Sequence, residues 1–476
     1  MLELDGASLR VDQIARAATD STAAVRVTDA ARSRAAASHD YAEHVAGFRP
    51  LYGRSTGVGA NRGTEVATSD AHALRLLRSH STAAGGPRSR RRVRAMLVIR
   101  LNQLAAGGSG VSPRLLDALT AQLATDAQPT ILELGSIGTG DLSALATAAL
   151  ALAGEAVCEP RFATPIRFTA GDALPFMSSN AATIADAALA CSDLRMLSSA
   201  SLVVGALSFV ALDGNREALS PSAVVGSPFP GVSHVATTMG ALVGDRPPAR
   251  IQDPFGLRAL PQVHGAFVDA LARAAGVVET MANAPSENPL FLADSGVAHH
   301  GGFHAVYLAQ ALDGLTSALA QTTQLSLARL TYLNDPSLTG LASFLAGPEP
   351  GASGAMILEY VAASALAELR GYGIPVGLQG VALSQGVEDD ASFASLAARN
   401  ALRAVDSYSA VLGCELVAAV RALRLADVET AQLTPGLAAA LRTAASLPGR
   451  LNDRSLTDDI SIAQDLLPTL AQPTAL

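Results

Sequence analysis

The feature that most limits how this chain can fold is its long runs of alanine and leucine at helical spacing. Two runs repeat apolar residues on one helical face: Leu308, Leu312, Leu315 and Leu319, and Val263, Phe267, Leu271, Ala274 and Val278. Glycine clusters separate such runs, and stretches with the alternating polarity of strands are almost absent. Aromatic residues make up 4% of the 476 residues, and tryptophan is missing. The chain therefore predicts an all-α fold, with long antiparallel helices forming a bundle in the C-terminal half.

Loops are unevenly distributed along the chain. Loop-rich sequence precedes residues 190–200 and long helices follow, so we predict one domain over residues 1–195 and a helical bundle with C-terminal helices over 196–476. The uncharged run from Met196 to Leu212 contains many small and polar residues. We interpret this run as a buried helix rather than a membrane span.

Composition excludes several classes of protein. The net charge is −8, and no basic stripe marks a nucleic-acid binder. All 34 basic residues are arginine, which excludes pyridoxal-phosphate enzymes, imine-forming aldolases and P-loop proteins, since each needs a lysine. The N-terminus carries charges early and lacks an apolar signal region, which predicts a cytoplasmic protein without a membrane partner.

Metal binding is not indicated by the spacing of potential ligands. The three cysteines, Cys158, Cys191 and Cys414, lie far apart and form no CxxC motif. The cluster from His299 to His304 reads HHGGFH and lacks the helical HExxH arrangement. We therefore predict no metal site.

Three glycine-rich or turn-like segments carry polar groups that a helical core does not need. Tyr52 stands in the loop YGRSTGVG, either as an ordinary surface residue or as a general acid or base on a mobile lid. In GSIGTGDL, Asp141 is a candidate helix cap, and the turn is either a helix entry or an anion site. Arg258 lies near the start of a long helix, either as a clamp for a carboxylate or in a structural ion pair.

Taken in order, these segments resemble the aromatic amino acid ammonia-lyase and aminomutase family, which includes histidine and phenylalanine ammonia-lyases. The similarity runs over nearly the whole chain and rests on an ordered set of motifs: LELDG, YGRSTGVG, Ser79-His80, GSIGTGDL, Asn180, QDPFGLRALPQVHG, ENPL, GGFH, Glu388-Asp389 and LNDRSLTDDI. The resemblance implies an all-α fold with a loop-rich N-terminal part and a central bundle. It also implies a homotetramer in which several subunits complete each active site.

The family's chemistry, which the resemblance carries over, needs no added cofactor. An internal Ala-Ser-Gly triad cyclises with the loss of two waters to an electrophile, methylidene-imidazolone (MIO), at a helix N-terminus. The electrophile captures the amine or the ring of an amino-acid substrate, and a loop tyrosine removes the β-proton. By resemblance, Tyr52 is this base, Arg258 binds the carboxylate, Asn180 lies beside the electrophile and Glu388 lies near the amine.

The resemblance also indicates which residues bind the substrate. His80 lies where family members select the aromatic ring, and its Ser-His context is similar to that of histidine- or tyrosine-directed members. Phe255, Asn288 and Phe303 complete the predicted substrate-binding set. Phe255 stands where the family has a tyrosine, so one hydroxyl near the electrophile is missing.

The triad is the main departure from the family pattern. GSxG-ASG-DL is replaced here by GSIG-TG-DL. Either Thr139-Gly140 is a shortened triad that forms no ordinary ring, or Gly138-Thr139-Gly140 replaces Ala-Ser-Gly. In the second case the Gly140 nitrogen attacks the Gly138 carbonyl, and dehydration of Thr139 gives a more crowded ethylidene. A literal Ala352-Ser353-Gly354 occurs later, where family members also carry Ser-Gly before a helix.

Three hypotheses of function follow from these matches and departures. The first is an ammonia-lyase or 2,3-aminomutase acting on an aromatic or related α-amino acid. The second is an MIO-independent enzyme of the same fold that catalyses another elimination, cyclisation or addition, on a substrate with a better leaving group or a more acidic C–H. The third is a non-catalytic homologue that binds small molecules.

Overall fold

The computed structural model describes residues 1–472, and it confirms the all-α fold. The first seven helices are α1 (Val11–Thr19), α2 (Asp29–Ala46), α3 (Asp70–His80), α4 (Arg90–Ala105), α5 (Arg114–Ala124), α6 (Leu142–Leu152) and α7 (Ala173–Met177). The later helices are α8 (Ala181–Ala211), α9 (Pro221–Val225), α10 (Pro230–Val243), α11 (Phe255–Arg258), α12 (Leu260–Ala282), α13 (Val306–Leu333), α14 (Pro336–Thr339), α15 (Ile357–Tyr372), α16 (Ala394–Leu425), α17 (Pro435–Thr443) and α18 (Thr457–Leu470).

The strands are short and pair only in twos over residues 1–472. They are β1 (Leu2–Leu4), β2 (Val25–Val27), β3 (Ala84–Pro87), β4 (Gln128–Pro129), β5 (Leu132–Leu134), β6 (Cys158–Glu159), β7 (Leu290–Leu292) and β8 (Gly296–Ala298). β1 and β2 are parallel, with Leu2 opposite Val25. The pairs β3–β5, β4–β6 and β7–β8 are antiparallel. These two-stranded ribbons connect loop segments and do not form a sheet core.

The apolar faces read from the sequence are buried in the helices that carry them. The four leucines of the first run lie in α13 and are fully buried. In the second run, on α12, Phe267, Leu271, Ala274 and Val278 are buried and Val263 is half-buried. Side chains also cap helices, as Ser89 does at α4, where its Oγ accepts a hydrogen bond from the Arg92 N–H.

The stretch Ala173–Ala211 is long and apolar enough to cross a membrane by length and composition alone. Its most apolar 18-residue window has a mean hydropathy of 1.7, and 78% of that window is buried inside the protein. The segment predicted as a buried helix, from Met196 onward, forms the later part of α8 and packs within the protein. Burial therefore accounts for the apolar character of this stretch.

The chain packs into two compact units, each assembled from three separate segments. The first unit comprises Met1–Ser192, Ala274–Asp313 and Pro375–Arg399. The second comprises Asp193–Arg273, Gly314–Ile374 and the chain from Asn400 onward. The linear division at residue 195 stays a prediction about domains. The first unit brings four polar loops together that are far apart in the sequence.

Candidate active site

A cavity of about 720 Å³ lies within the first unit. Four loop stretches supply most of its walls: the tyrosine loop, the glycine-rich turn before α6, the segment before α13 and the acidic loop before α16. The end of α3 and the region of α7 complete them. The lining residues that carry polar or aromatic groups include Tyr52, Asn61, Arg62, His80, Thr139, Ser178, Asn288, His299, Phe303, His304, Ser384, Glu388, Asp389 and Asp390.

Tyr52 is held by its own loop. The Gly59 N–H donates a hydrogen bond to Tyr52 Oη over 2.8 Å, and Gly59 adopts a φ of +57° that favours glycine. Burial raises the pKa of the Tyr52 phenol and the Glu388 carboxylate raises it further, while the Gly59 N–H and the Arg62 guanidinium lower it. The phenol is therefore protonated at neutral pH in the single chain, and a cation brought close would favour its ionisation.

The acidic loop is fastened to the tyrosine loop. Leu383 and Glu388 exchange backbone hydrogen bonds, so the loop between them closes into a tight turn. Ser384 Oγ accepts a hydrogen bond from the Ala60 N–H over 2.9 Å. A side chain on Gly59 would place its Cβ 2.6 Å from Ser384 Oγ, so glycine is required where the two loops meet. This contact keeps the Glu388 carboxylate on the same wall as Tyr52.

The turn Gly138-Thr139-Gly140 forms another wall, and Thr139 lines the cavity. The Gly140 N–H donates to Asn180 Oδ1 over 3.1 Å, while Asn180 Nδ2 donates to the Phe303 carbonyl over 2.5 Å. The Gly138 carbonyl accepts hydrogen bonds from Ser392 Oγ and from the Ala305 N–H. Asn180 is thus brought beside the turn, with both ends of its amide engaged.

The expectation that the Asp141 side chain caps α6 is wrong. It occupies the N-cap position of α6, but its side chain does not cap that helix. Its carboxylate instead accepts hydrogen bonds from the Thr183 N–H over 2.7 Å and from Thr183 Oγ1 over 2.8 Å. Burial raises the pKa of this fully enclosed carboxyl. Asp141 therefore ties the turn to the start of α8.

The predicted ring-selecting residue and its neighbours also lie on the cavity. His80 is the last residue of α3, and its Nδ1 lies 2.9 Å from the Leu76 carbonyl oxygen. Asn288 Oδ1 accepts a hydrogen bond from the His300 N–H over 3.0 Å. Phe303 contributes its ring to the wall and its carbonyl to Asn180. The structure thus brings His80, Asn288 and Phe303 together with Tyr52.

Two histidines of the HHGGFH cluster, His299 and His304, also line the cavity. His304 Nε2 lies 3.4 Å from Asp390 Oδ2, and burial lowers the pKa of His299. The HHGGFH cluster was weighed only as a metal site, although its histidines line a cavity beside carboxylates. Within residues 1–472, no three His, Cys, Asp or Glu side chains are grouped as ligands for a metal ion.

Arg258 and Phe255 are not brought to this cavity. Both lie on α11 in the second unit, and neither is among the residues that line the cavity in the first unit. The guanidinium carbon of Arg258 stacks 4.2 Å from the centroid of the Phe255 ring. Phe255 is 63% exposed, whereas Arg258 is half-buried beneath it.

The literal Ala352-Ser353-Gly354 belongs to the second unit. The Asp453 carboxylate accepts hydrogen bonds from the Ser353 N–H and the Gly354 N–H, each over 2.9 Å. These contacts describe a capped turn before α15, and its residues are not among those that line the 720 Å³ cavity.

Comparison with known proteins assigns a family. Residues 9–446 match the profile described as aromatic amino acid lyase. A histidine ammonia-lyase of Sorangium cellulosum is 34% identical over 93% of both chains. The crystal structure of tyrosine aminomutase from Streptomyces globisporus superposes with a TM-score of 0.93 at 27% identity, covering 99% of this chain and 98% of that one. The crystal structure of the ergothioneine-degrading enzyme from Treponema denticola superposes with a TM-score of 0.90 at 25% identity, covering 98% of this chain and 99% of that one.

Proposed function

Because this chain belongs to the aromatic amino acid lyase family, we propose that it is a carbon–nitrogen lyase or 2,3-aminomutase acting on an aromatic or related α-amino acid. One observation carries the proposal: Tyr52, Glu388 and Thr139 line one cavity, and Asn180 accepts a hydrogen bond from the Gly140 N–H beside Thr139. A base, a carboxylate and a site for an electrophile are the groups that such a reaction needs.

The roles of the polar residues follow from their positions. Tyr52 takes the β-proton as the phenolate and becomes the neutral phenol, and the Gly59 N–H stabilises that phenolate before the transfer. A substrate ammonium would sit against Glu388 and the neighbouring Asp389, whose negative charge favours the cationic amine. His80, Asn288 and Phe303 contact the side chain of the substrate.

The segment Gly138-Thr139-Gly140 is the proposed MIO-like group, and its surroundings fit a backbone ring. Both glycines have positive φ, +89° and +123°, and their polar atoms are already engaged at opposite ends of the turn. When formed, such a ring supplies an electrophile for the substrate amine. The chain's own residues hold that wall in place, through Asn180 on the Gly140 nitrogen and Ser392 on the Gly138 oxygen.

Arg258 binds the substrate carboxylate from a neighbouring copy in the proposed homotetramer. Its position outside the cavity of its own chain supports this assignment, as does its place beside an exposed ring. Co-expression of Tyr52→Phe chains with Arg258→Ala chains tests it. We expect mixed tetramers to regain activity that neither variant has alone, and the absence of any recovery would refute shared sites.

The central test is turnover of candidate amino acids. The protein is incubated with histidine, tyrosine and phenylalanine, and ammonia, the α,β-unsaturated acid and the β-amino acid are quantified. Tyr52→Phe should lower kcat by about 10²–10⁴-fold, the usual contribution of a positioned base. Tyr360→Phe, an exposed tyrosine of the second unit, serves as the control and should keep full activity. Equal turnover rates for the two variants would show that Tyr52 is not the catalytic base.

A second candidate function is favoured by Thr139, which stands where the family has serine. Without an electrophile, the same cavity would suit an elimination from a substrate whose leaving group departs unaided. The similarity to an ergothioneine-degrading enzyme supports this alternative. This alternative is supported if the protein consumes ergothioneine but not histidine, tyrosine or phenylalanine.

A further inference from the structure

The Gly138 carbonyl, next to the cavity residue Thr139, accepts two hydrogen bonds from distant parts of the chain. Ser392 Oγ donates to its oxygen over 3.0 Å, and the Ala305 N–H donates over 3.0 Å as well. Both donors are buried, with Ser392 at 3% and Ala305 at 1% exposure. Two fixed donors on one carbonyl oxygen are the arrangement that stabilises an oxyanion.

Ser392 occupies the space that a side chain at position 138 would need. A Cβ on residue 138 would lie 2.1 Å from Ser392 Oγ and 2.9 Å from the Ala394 nitrogen. Gly138 also has a φ of +89°, which L-residues with side chains rarely adopt. The family's alanine is therefore excluded here, and its place is taken by a hydroxyl that bonds the carbonyl.

The nitrogen on the other side of Thr139 is held by a separate contact. The Gly140 N–H donates to Asn180 Oδ1 over 3.1 Å. Asn180 is 1% exposed and is itself fixed by its bond to the Phe303 carbonyl. The turn thus has an activated carbonyl at one end and an oriented amide nitrogen at the other.

We propose that Ser392, with the Ala305 N–H, activates the Gly138 carbonyl for closure of a backbone ring through Gly138-Thr139-Gly140. The Gly140 nitrogen bonds to the Gly138 carbonyl carbon, and the negative charge on oxygen is stabilised by the two donors. That oxygen leaves as water with the amide hydrogens of Gly140 and Thr139, and a C=N bond forms. Thr139 then loses its Cα hydrogen and hydroxyl as a second water, which leaves an ethylidene. No oxidant is consumed.

This inference deepens the proposed function, since it concerns how the electrophile of that site would form. It is tested by mass rather than by turnover. The intact mass of the denatured full chain is measured for the wild type, Ser392→Ala and Ser395→Ala. Ser395 is the matched control, because its Oγ donates over 2.7 Å to the Ser136 carbonyl of the same stretch without touching Gly138.

We expect the wild type and Ser395→Ala to be two waters lighter than their sequences, with the loss mapping to residues 135–142. Ring closure in Ser392→Ala should be slower by about 10²–10³-fold, the effect of removing one oxyanion donor, so this variant should still have its full mass when the wild type has just completed its loss. A wild type at full mass overturns the inference, and so does a Ser392→Ala chain that loses water as fast as the wild type.

A third variant keeps the test independent of how Ser392→Ala folds. Thr139→Ala retains both donors but has no hydroxyl to eliminate, so it should lose one water only. Full mass in Thr139→Ala would also overturn the inference. Failure of this inference can be told apart from failure of the proposed function. A chain that is two waters lighter but consumes no amino acid refutes the substrate class alone. A chain of full mass that releases ammonia from an amino acid refutes the ring alone.

Discussion

Two buried arginine–glutamate pairs, one in each compact unit, are partnered in different ways. In the second unit, Glu415 accepts hydrogen bonds from Arg329 Nε over 2.6 Å and Nη2 over 3.0 Å, and from the hydroxyls of Ser208 and Ser326. In the first unit, Glu287 lies 2.8 Å from Arg100 Nη1 but has no aligned hydrogen bond on either carboxylate oxygen within residues 1–472.

The two arginines also differ in the groups that accept their hydrogen bonds. Arg100 donates to the carbonyls of Phe176 and Pro175 and to Gln103 Oε1, so neutral oxygens contact it in addition to the Glu287 carboxylate. Arg329 donates to Glu415 and to the Gly256 carbonyl. Buried pairs stabilise a fold only when their hydrogen bonds are complete. The pair in the second unit meets this condition, whereas the pair next to the cavity residue Asn288 does not.

The largest effect is expected for Glu415→Ala. The variant leaves the Arg329 guanidinium buried without its carboxylate, which should lower the free energy of unfolding by about 3–5 kcal/mol. Guanidinium denaturation at fixed protein concentration measures the change, and Glu368→Ala, an exposed glutamate on α15, is the control. A loss below about 1 kcal/mol would mean that the completed network contributes little.

Ser208→Ala should have the next largest effect. The Ser208 hydroxyl donates to Glu415 Oε1 over 2.7 Å, and a hydrogen bond to a charged group contributes about 1.5–3 kcal/mol. In the Glu415→Ala background, the same substitution should be nearly neutral, which a double-mutant cycle detects. Strict additivity of the two losses would contradict the network.

Glu287→Gln should cost less than either change in the second unit, below about 2 kcal/mol, because Arg100 keeps its carbonyl partners. The same denaturation experiment measures it. A loss as large as that of Glu415→Ala would show that both carboxylates contribute alike despite their different hydrogen bonding.

The smallest effect should appear in the pH dependence of stability. Burial raises the pKa of Glu287 above its ordinary value of 4.5, and Arg100 opposes the shift. A carboxyl with a raised pKa stabilises the folded state at pH values below the pKa that it has in the unfolded chain. This stability is lost as the pH rises through the pKa of the folded chain. The unfolding free energy of the wild type minus that of Glu287→Gln should therefore fall as pH rises from 4.5. A difference that rises with pH would contradict the shift.

Much of the fold could be predicted from local patterns. The helical spacing of Leu308 to Leu319 predicts a buried face, and α13 buries it. Cysteine spacing and the missing lysines limited the chemistry without any structure. The ordered motifs also named segments that the structure brings to one cavity: the tyrosine loop, the turn before α6 and Glu388. Their roles stay predictions.

The remainder depends on contacts between residues that are distant in sequence. Asp141 is read as a cap from its place before α6, but its carboxylate bonds Thr183, which local spacing does not reveal. The role of Ser392 is equally hidden, because nothing in the sequence ASFAS marks one serine as a partner of Gly138. The histidines of HHGGFH were judged by metal-ligand spacing, whereas their surroundings, including Asp390, come from another segment.

If the proposed ring forms, the two donors on Gly138 would also set an order of events during synthesis. Ala305 and Ser392 are made long after the turn itself, and Ser392 follows Gly138 by 254 residues. A nascent chain that has not yet emerged past residue 392 lacks one of the groups that would close the ring. The lost waters would then record that the last segment of the first unit had arrived and packed, so an N-terminal fragment ending before this serine should retain its full mass.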